Sequence, residues 1–220
     1  MRAVPVPQTQ AAYVYDAIKG DILSGKLRGG EAILQAEWAE RMGTSVTPVR
    51  EAIRRLGQDG LVENAPHRGT RVVTISLQAL EDIYEMRMLV EPLQLRRSYH
   101  KLSTTQAVRA RELCDLMNGL TEEQTAEFID LNIEFHNILL AHDGSWTSRV
   151  VQMLQAAASP YVSLSIAEEP AQLINSNQDH YGMLDAVIDE DIDLAVEILQ
   201  KHLASTHVLA KKYLLALEGN

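Results

Sequence analysis

Residues 43–56 read Gly-Thr-Ser-Val-Thr-Pro-Val-Arg-Glu-Ala-Ile-Arg-Arg-Leu, which predicts a short loop that opens into an amphipathic helix. Thr47 is a suitable N-cap, and Pro48 suits the first helical position because its missing N–H needs no partner there. Arg50 and Arg54 fall four residues apart on one face, where they can reach phosphates or base edges. The buried face is predicted from the apolar residues at helical spacing, which are Val49, Ala52, Ile53 and Leu56. An ordinary solvated helix with a Glu51–Arg55 pair would show the same pattern. The flanking segments decide between such a helix and one that contacts DNA.

The segments on either side predict a winged helix. Upstream, apolar spacing indicates a helix that ends near Gly25 and a short helix over residues 35–42 that ends at Gly43. The tight turn between this short helix and the next is helix-turn-helix spacing. Downstream, residues 61–64 and 70–73 predict two strands joined by a turn that carries His67 and Arg68. We therefore predict an N-terminal winged helix-turn-helix domain over residues 1–75.

Composition and charge are compatible with two domains. The chain has 220 residues, of which 46% are hydrophobic and 23% charged, as is typical of a globular protein. Residues 1–75 carry ten basic and eight acidic residues, whereas residues 76–220 carry ten basic and 22 acidic residues, so the acidic excess lies outside the predicted DNA-binding domain.

The sequence lacks a membrane span and a signal peptide, which predicts a cytoplasmic protein with no membrane partner. Cys114 is the single cysteine and is expected to be a buried thiol.

Residues 76–220 predict an antiparallel helical bundle, so the fold class is mainly α. Helices are expected over residues 76–102, with a kink at Pro92, and over 104–120, 122–141, 146–166, 170–188 and 192–217. His136, His180 and His202 lie on separate predicted helices beside apolar residues, and Asn132 precedes His136 by one turn. From the residues alone, the histidines are either unrelated core groups or a weak indication of a metal site.

The N-terminal segment resembles the GntR superfamily of bacterial transcription regulators across nearly all of residues 11–75. The resemblance is carried by Gly25, Leu27, Gly30, Trp38-Ala39-Glu40-Arg41-Met42-Gly43, residues 47–56, Gly60-Leu61-Val62 and Arg68-Gly69-Thr70-Arg71-Val72. It implies a homodimer that binds a near-palindromic double-stranded DNA operator through Ser45, Thr47, Arg50, Arg54, His67, Arg68 and Gly69. The family usually has Ser-Arg-Thr-Pro at the helix start, where this chain has Ser45-Val46-Thr47-Pro48. Since that arginine commonly contacts guanine, the operator sequence is expected to differ.

Residues 130–136, 179–187 and 195–203 resemble the FCD effector domain of the FadR subfamily. In its metal-binding members an Asp four residues before the first of three histidines completes a divalent-metal site. The ligands implied for this chain are Asn132, His136, His180 and His202. Asn132 replaces the usual Asp, and its amide oxygen coordinates a metal without charge and therefore more weakly. Zinc is the expected ion, with nickel and manganese also open.

The same resemblance implies an effector site for a small carboxylate. Arg87 matches a position where the family often has an arginine near the effector, which predicts a clamp on the carboxylate. A surface ion pair between Arg87 and Glu91 is the alternative. Arg149 and Tyr161 are candidates to line the cavity, although packing at the edge of the core would explain them equally.

Three functional hypotheses follow. The leading one is a transcription regulator, most simply a repressor, whose operator binding responds to a small carboxylate at the metal. A metal-free sensor of the same architecture is the second, if Asn132 marks loss of the site. The third is a metal-dependent enzyme acting on a carboxylate, because a metal with an open position can activate water. We do not favour an enzyme, since no second catalytic carboxylate or nucleophile is evident and Glu134 faces away from His136.

Overall fold

The computed structural model describes residues 9–23, 26–58, 61–65, 69–140 and 144–218. The chain divides into two compact units, Met1–Thr74 and Ile75–Asn220. The first unit contains helices α1 (Gln10–Leu23), α2 (Gln35–Arg41) and α3 (Val46–Gln58) and strands β1 (Val62–Ala65) and β2 (Gly69–Val72).

The two strands form an antiparallel hairpin in which Val62 pairs with Val72 and Ala65 pairs with Gly69. The chain after the Gly29–Gly30 turn extends this small sheet, since Ala32 forms a β-bridge with Arg71. The amide of Ile33 also donates to the carbonyl of Thr70 at 2.9 Å. The sequence predicted the hairpin but not this additional edge, because a single bridged residue has no alternation to read.

Helix α3 begins earlier than predicted. It starts at Val46, so Thr47 is its second residue rather than its N-cap, and Pro48 is its third rather than its first. Proline is tolerated there because the first four N–H groups of a helix have no partner within the helix. The preceding turn requires a glycine at position 43, whose φ is 61°, and the amide of Thr44 closes it by donating to the carbonyl of Ala39.

The first unit is held together by the predicted apolar face of α3. Val49, Ala52, Ile53 and Leu56 are all buried and pack in one cluster with residues of α1 and α2. A fully buried aliphatic side chain of this size contributes about 1.5–3 kcal/mol. Cationic side chains cover the edges of the cluster: the Arg41 guanidinium lies 4.4 Å from the Trp38 ring centroid and pairs with Asp21 at 2.8 Å. Arg55 lies over the ring of Tyr15 at 4.3 Å.

The second unit is a bundle of α-helices. They are α4 (Leu77–Ser98), α5 (Thr104–Met117), α6 (Thr125–Leu139), α7 (Trp146–Glu168), α8 (Gln172–Ile188) and α9 (Ile192–Glu218). Serine side chains cap several of them: Ser76 accepts from Ala79, Ser145 accepts from Ser148, and Ser103 forms a capping box with Gln106. Ser103 is therefore the N-cap of α5.

Two of the predicted helices have a 3₁₀ turn at one end. The helix expected over residues 76–102 ends at Ser98 and continues as a 3₁₀ turn over Tyr99–Lys101, and α6 is preceded by a 3₁₀ turn over Glu122–Gln124. Pro92 and Pro160 lie inside α4 and α7, respectively.

Cys114 is fully buried, and burial raises the pKa of its thiol to about 12, which makes it unreactive. Among the described residues, no helix is both long and apolar enough to cross a membrane.

Candidate functional site

The three histidines converge in the interior of the bundle. His136 comes from α6, His180 from α8 and His202 from α9, and no more than 4% of any of them is exposed. Their ring centroids lie 4.8–5.2 Å apart, and one nitrogen from each ring lies within 4.8 Å of the other two. The sequence separates these residues by as many as 66 positions, so the fold, and not local structure, brings them together.

Two of these histidines have no hydrogen-bond partner in the described part of the chain. The Nδ1 and Nε2 atoms of both His136 and His180 are buried and unpaired. A neutral imidazole needs one acceptor and one donor, and leaving a buried polar group unpaired costs about 1–3 kcal/mol. A metal ion bound to one nitrogen of each ring removes part of this cost, and imidazole-rich sites suit divalent zinc, nickel and similar ions. The residues therefore fit a divalent metal.

The electrostatics of the cluster keep the rings neutral. Burial lowers the pKa of His136 and of His180 well below the usual value near 6.5, and it lowers the pKa of His202 to about 3. The neighbouring positive charge of Arg87 lowers the pKa of His136 and His202 further. Because a neutral imidazole has a lone pair free for coordination, protons do not compete with a metal here near neutral pH.

Neighbouring side chains orient the rings. The Nδ1 atom of His202 lies 3.4 Å from the Ser176 hydroxyl and 3.9 Å from an Asp179 carboxylate oxygen. Such outer partners commonly fix the ring orientation of a metal-binding histidine. The ring of His180 packs against Phe135, with centroids 4.5 Å apart. Its position is thus set by apolar packing.

A narrow cavity adjoins the cluster between α4, α6 and α7. It is lined by Arg87, Ile129, Asn132, Ile133, His136, Gln155, Ser159 and Val162. Only about 10 Å³ of it admits the centre of a water molecule, which is room for about one such group. Two of the residues predicted from the sequence, Asn132 and Arg87, therefore share a cavity with the metal-site candidate His136.

Arg87 does pair with Glu91, but not at the surface. The Arg87 Nε donates to a Glu91 carboxylate oxygen, and the side chains are 6% and 0% exposed, so the expectation of a surface pair is wrong. The guanidinium also lies 5.0 Å from the ring centroid of Tyr84. The charge of Arg87 is thus balanced by a neighbouring carboxylate within the protein interior.

Two predicted effector residues lie elsewhere. Arg149 is exposed, where its Nε donates to the carbonyl of Gly144 and its guanidinium lies over the ring of Trp146. Tyr161 is buried, but its hydroxyl donates to the carbonyl of Ser76 at 3.2 Å and it belongs to a separate apolar cluster. Neither lines the cavity. Helical spacing alone could not show which face of α7 meets α4 and α6.

Sequence reasoning missed Gln155 and Ser159. They lie one turn apart on α7, both are buried, and both line the cavity. The available signal was two polar residues four apart on a helix that otherwise buries small and apolar side chains.

The predicted DNA-binding residues lie on an open surface of the first unit. Arg50 and Arg54 are exposed and border a groove between α3 and the hairpin, which Gln35, Glu63 and Thr70 also line. Ser45 and Thr47 are exposed at the start of α3, and Gly69 begins β2 with a φ of 73°. His67 and Arg68 lie outside the described residues.

Comparison with known families identifies both units. The FCD domain model matches residues 82–205, more than half of the chain, and the model for bacterial regulatory proteins of the gntR family matches residues 10–72. The chain belongs to the GntR family of transcriptional regulators. GntR regulators bind DNA operators, and the relatives of this chain are transcriptional regulators rather than enzymes. The enzyme hypothesis is thereby excluded.

Individual relatives cover almost the whole chain. The chain is 25% identical to the uncharacterized HTH-type transcriptional regulator BphR of Paraburkholderia xenovorans, with 96% of this chain and 91% of the relative covered. It is 29% identical to the probable D-xylose utilization operon transcriptional repressor of Paenarthrobacter nicotinovorans, with 90% and 87% covered.

Solved structures support the fold. E. coli McbR/YncC has a TM-score of 0.67 at 20% identity, over 93% of this chain and 99% of that chain. A GntR family member from Pseudomonas syringae has a TM-score of 0.58 at 24% identity, over 98% of this chain and 90% of that chain. They confirm the predicted fold class, a winged helix-turn-helix with an all-helical second part.

Proposed function

We propose that this GntR regulator is a repressor whose affinity for its operator is controlled by a small carboxylate bound at a divalent metal in the helical unit. The observation that carries the proposal is the buried cluster of His136, His180 and His202, in which the ring nitrogens of His136 and His180 are unpaired and His136 lines the same cavity as Arg87. Two relatives are named as repressors, the D-xylose operon regulator and RspR of E. coli, which supports the sign of regulation.

The DNA-binding part of the proposal rests on α3. Its apolar face is buried, while Arg50 and Arg54 are exposed, and neither forms an ion pair with another described residue. The N-terminal residues of a recognition helix contact base edges in the major groove, which assigns this role to Ser45, Thr47 and Arg50. Arg54 lies one turn further along and is assigned to phosphate, and His67, Arg68 and Gly69, which the sequence predicts at the tip of the wing, are assigned to the DNA backbone.

The metal part of the proposal assigns four ligands. His136, His180 and His202 supply neutral nitrogens, and Asn132 supplies an amide oxygen from the turn before His136. Zinc is the ion we expect, with nickel or manganese as alternatives. When bound, the ion supplies a positive charge and an open position for an anionic ligand. A metal-free sensor of the same architecture is the second candidate, and the uncharged Asn132 is the feature that favours it.

The effector part of the proposal rests on charge. Neutral imidazoles and a neutral amide leave the charge of the ion uncompensated, and Arg87 adds a cation whose partner is Glu91. A small carboxylate fits this balance of charge, and the cavity, which admits about one water molecule, would have to widen to take it. The carboxylate would bind the ion and accept hydrogen bonds from Arg87.

We further propose that the regulator is a homodimer. Two recognition helices placed in successive major grooves match the two halves of a near-palindromic operator. Met86, Leu89 and Leu93 form an exposed apolar stripe on α4 and offer one surface for such a contact. An effector that favours one spacing of the two winged helices needs a coupling of only about 1–3 kcal/mol to change operator occupancy.

Replacement of Arg50 tests the DNA-binding role. The Arg50→Ala variant is expected to lose specific binding to an operator selected from random-sequence DNA, by about tenfold to a hundredfold in a gel-shift titration, because a good base contact is worth about 1–3 kcal/mol. Arg96→Ala is the matched control, since Arg96 is exposed in the helical unit and pairs with Asp193. Equal affinities of the Arg50→Ala and control proteins would refute the assignment.

A further inference from the structure

We infer that Asp179 is a positioning residue of the metal site, which supplies a negative charge to it through the ring of His202. The inference rests on the proposed function, since it assumes that the histidine cluster binds a divalent ion. It goes further by assigning a role to a residue outside the ligand set and by naming the nitrogen of His202 that faces the ion.

The proposed ligand set carries no negative charge. Asn132 offers an amide oxygen, and the three histidines offer neutral imidazoles. A divalent ion held by these groups alone keeps its full charge in the protein interior, where an uncompensated charge is costly. The buried carboxylate of Glu91 does not relieve this, because it pairs with the equally buried guanidinium of Arg87. In the absence of an effector, the site therefore benefits from a second carboxylate nearby.

Asp179 is placed to fill this need. One of its carboxylate oxygens lies 3.9 Å from Nδ1 of His202, and its side chain is only 13% exposed. It directly precedes His180 on α8, whereas His202 lies on α9. A single turn of α8 therefore carries one proposed ligand together with the outer partner of another ligand on the facing helix.

The contacts of His202 indicate which nitrogen is the ligand. Both polar neighbours, Asp179 and the Ser176 hydroxyl at 3.4 Å, lie at Nδ1. A carboxylate only accepts hydrogen bonds, so Nδ1 carries the ring proton and Nε2 keeps its lone pair for the ion. Coordination at Nε2 polarises the N–H at Nδ1, and this should draw the carboxylate from 3.9 Å into a hydrogen bond.

Lys201 holds the carboxylate of Asp179 without cancelling its effect. The Lys201 Nζ donates to the oxygen that faces away from His202, at 3.0 Å. The side chain of Lys201 is 74% exposed, so water and salt screen its charge far more than they screen that of the buried Asp179–His202 contact. The pair therefore orients the carboxylate, and the negative charge remains available on the side of the histidine.

The Asp179→Asn variant tests the inference, because it keeps the shape of the side chain and removes the charge. Competition against a chelator should show zinc bound about tenfold to a hundredfold more weakly than by the wild type, which is the usual effect of losing such an outer partner. Asp185→Asn is the matched control, since it removes the same charge from an exposed position of α8 that pairs with Arg111. The control should change zinc affinity by less than about twofold.

Two further measurements separate positioning from a loss of structure. Asp179→Glu restores the charge and should recover part of the zinc affinity. Long-range nitrogen–proton NMR spectra of the zinc-loaded wild type should show His202 protonated at Nδ1. The thermal midpoints of the chelator-treated wild type and Asp179→Asn proteins should be nearly equal, because the Lys201 pair of Asp179 is exposed.

The outcomes distinguish this inference from the function on which it rests. Equal zinc affinities of the wild type and Asp179→Asn overturn the inference and leave the metal site intact. An equal loss in Asp179→Asn and Asp185→Asn also overturns it, because the effect is then one of long-range charge. A proton on Nε2 of His202 in the zinc-loaded protein excludes the assigned ligand atom. Wild-type protein that binds no zinc contradicts the proposed metal site, and the inference falls with it.

Discussion

The histidine cluster could be predicted from the sequence only in part. Its members, His136, His180 and His202, were placed on three helices by apolar spacing, and a shared site was implied by the resemblance to the FCD domain. The structure brings them together, with four unpaired ring nitrogens on His136 and His180. Spacing alone could not have shown the convergence, because it depends on how three distant helices pack. Arg149 was expected to line the cavity but is exposed, because the sequence predicted its helix and not which face of that helix is buried.

Asn132 provides a residue-scale prediction about the metal. Replacing it with Asp adds a negative charge to a ligand set of neutral groups and should raise zinc affinity by about tenfold or more. A competition titration against a chelator measures the change. Asn137→Asp on the same helix is the control, because it adds the same charge outside the proposed ligand set. An equal gain in both variants would attribute the effect to long-range charge and contradict coordination by residue 132.

Val46 is the residue from which the sequence predicts an altered base preference of α3. It occupies the first position of α3 and is 37% exposed, so an apolar side chain faces outward where the family usually has an arginine. An apolar side chain can contact a thymine methyl group but cannot form the paired hydrogen bonds that arginine makes with guanine. The helix is expected to dock as in other GntR regulators while preferring different bases.

At the scale of elements, helix existence was predicted well and helix ends were not. The apolar spacing of Val49, Ala52 and Leu56 defined α3, yet the helix begins two residues before the predicted start. Pro48 misled the prediction because proline suits several positions of a first turn, not only the first. Gln155 of α7 was missed because its place in the cavity wall depends on which helices pack against its face of α7. Local sequence does not contain that information.

Helix α4 contains a buried ion pair that leads to an element-scale prediction. Changing Glu91 to Gln leaves the Arg87 guanidinium buried without a charged partner, and this should destabilise the helical unit by about 3–5 kcal/mol. The double variant Arg87→Met with Glu91→Met removes both charges and should be within about 1 kcal/mol of the wild type. Urea unfolding measures both. A double variant that is as unstable as Glu91→Gln would show that packing, not charge, sets the cost.

At the scale of the molecule, the buried histidines predict acid sensitivity of the metal-free protein. Each has a pKa below 6.5 in the folded chain, about 3 for His202, so the unfolded chain takes up protons that the folded chain does not. The stability that they contribute is therefore complete above pH 6.5 and is lost as the pH falls below it, by about 1.4 kcal/mol per pH unit for each histidine. Urea unfolding of chelator-treated protein from pH 7.5 to pH 5 measures this slope.

The His180→Phe variant isolates one part of this effect. His180 is fully buried and packs against Phe135, so an aromatic ring is a reasonable replacement. Its slope below pH 6.5 should be smaller than that of the wild type by about 1.4 kcal/mol per pH unit, because one differential proton is lost. Identical slopes in the two proteins would mean that His180 is protonated in the folded state.

Charge is unevenly distributed along the chain. The mildly basic segment of residues 1–75 corresponds to the unit that contains α3 and the hairpin, and the acidic remainder corresponds to the helical unit. Since the local field governs the approach to DNA, a net charge of −10 is compatible with operator binding. Charge could not identify the effector, because the cavity is defined by a few side chains from three helices.

Fluorescence anisotropy measures whether an occupied metal site controls operator binding. The zinc-loaded regulator is titrated onto its selected operator with and without each of four small acids at saturation (acetate, glycolate, glyoxylate and glycine), beside the His180→Phe variant. We predict that at least one of these acids changes the Kd for DNA by at least about fivefold in the wild type and by less than about twofold in the variant. A wild-type Kd that is the same with and without all four acids would contradict control of operator binding by a carboxylate at the metal site.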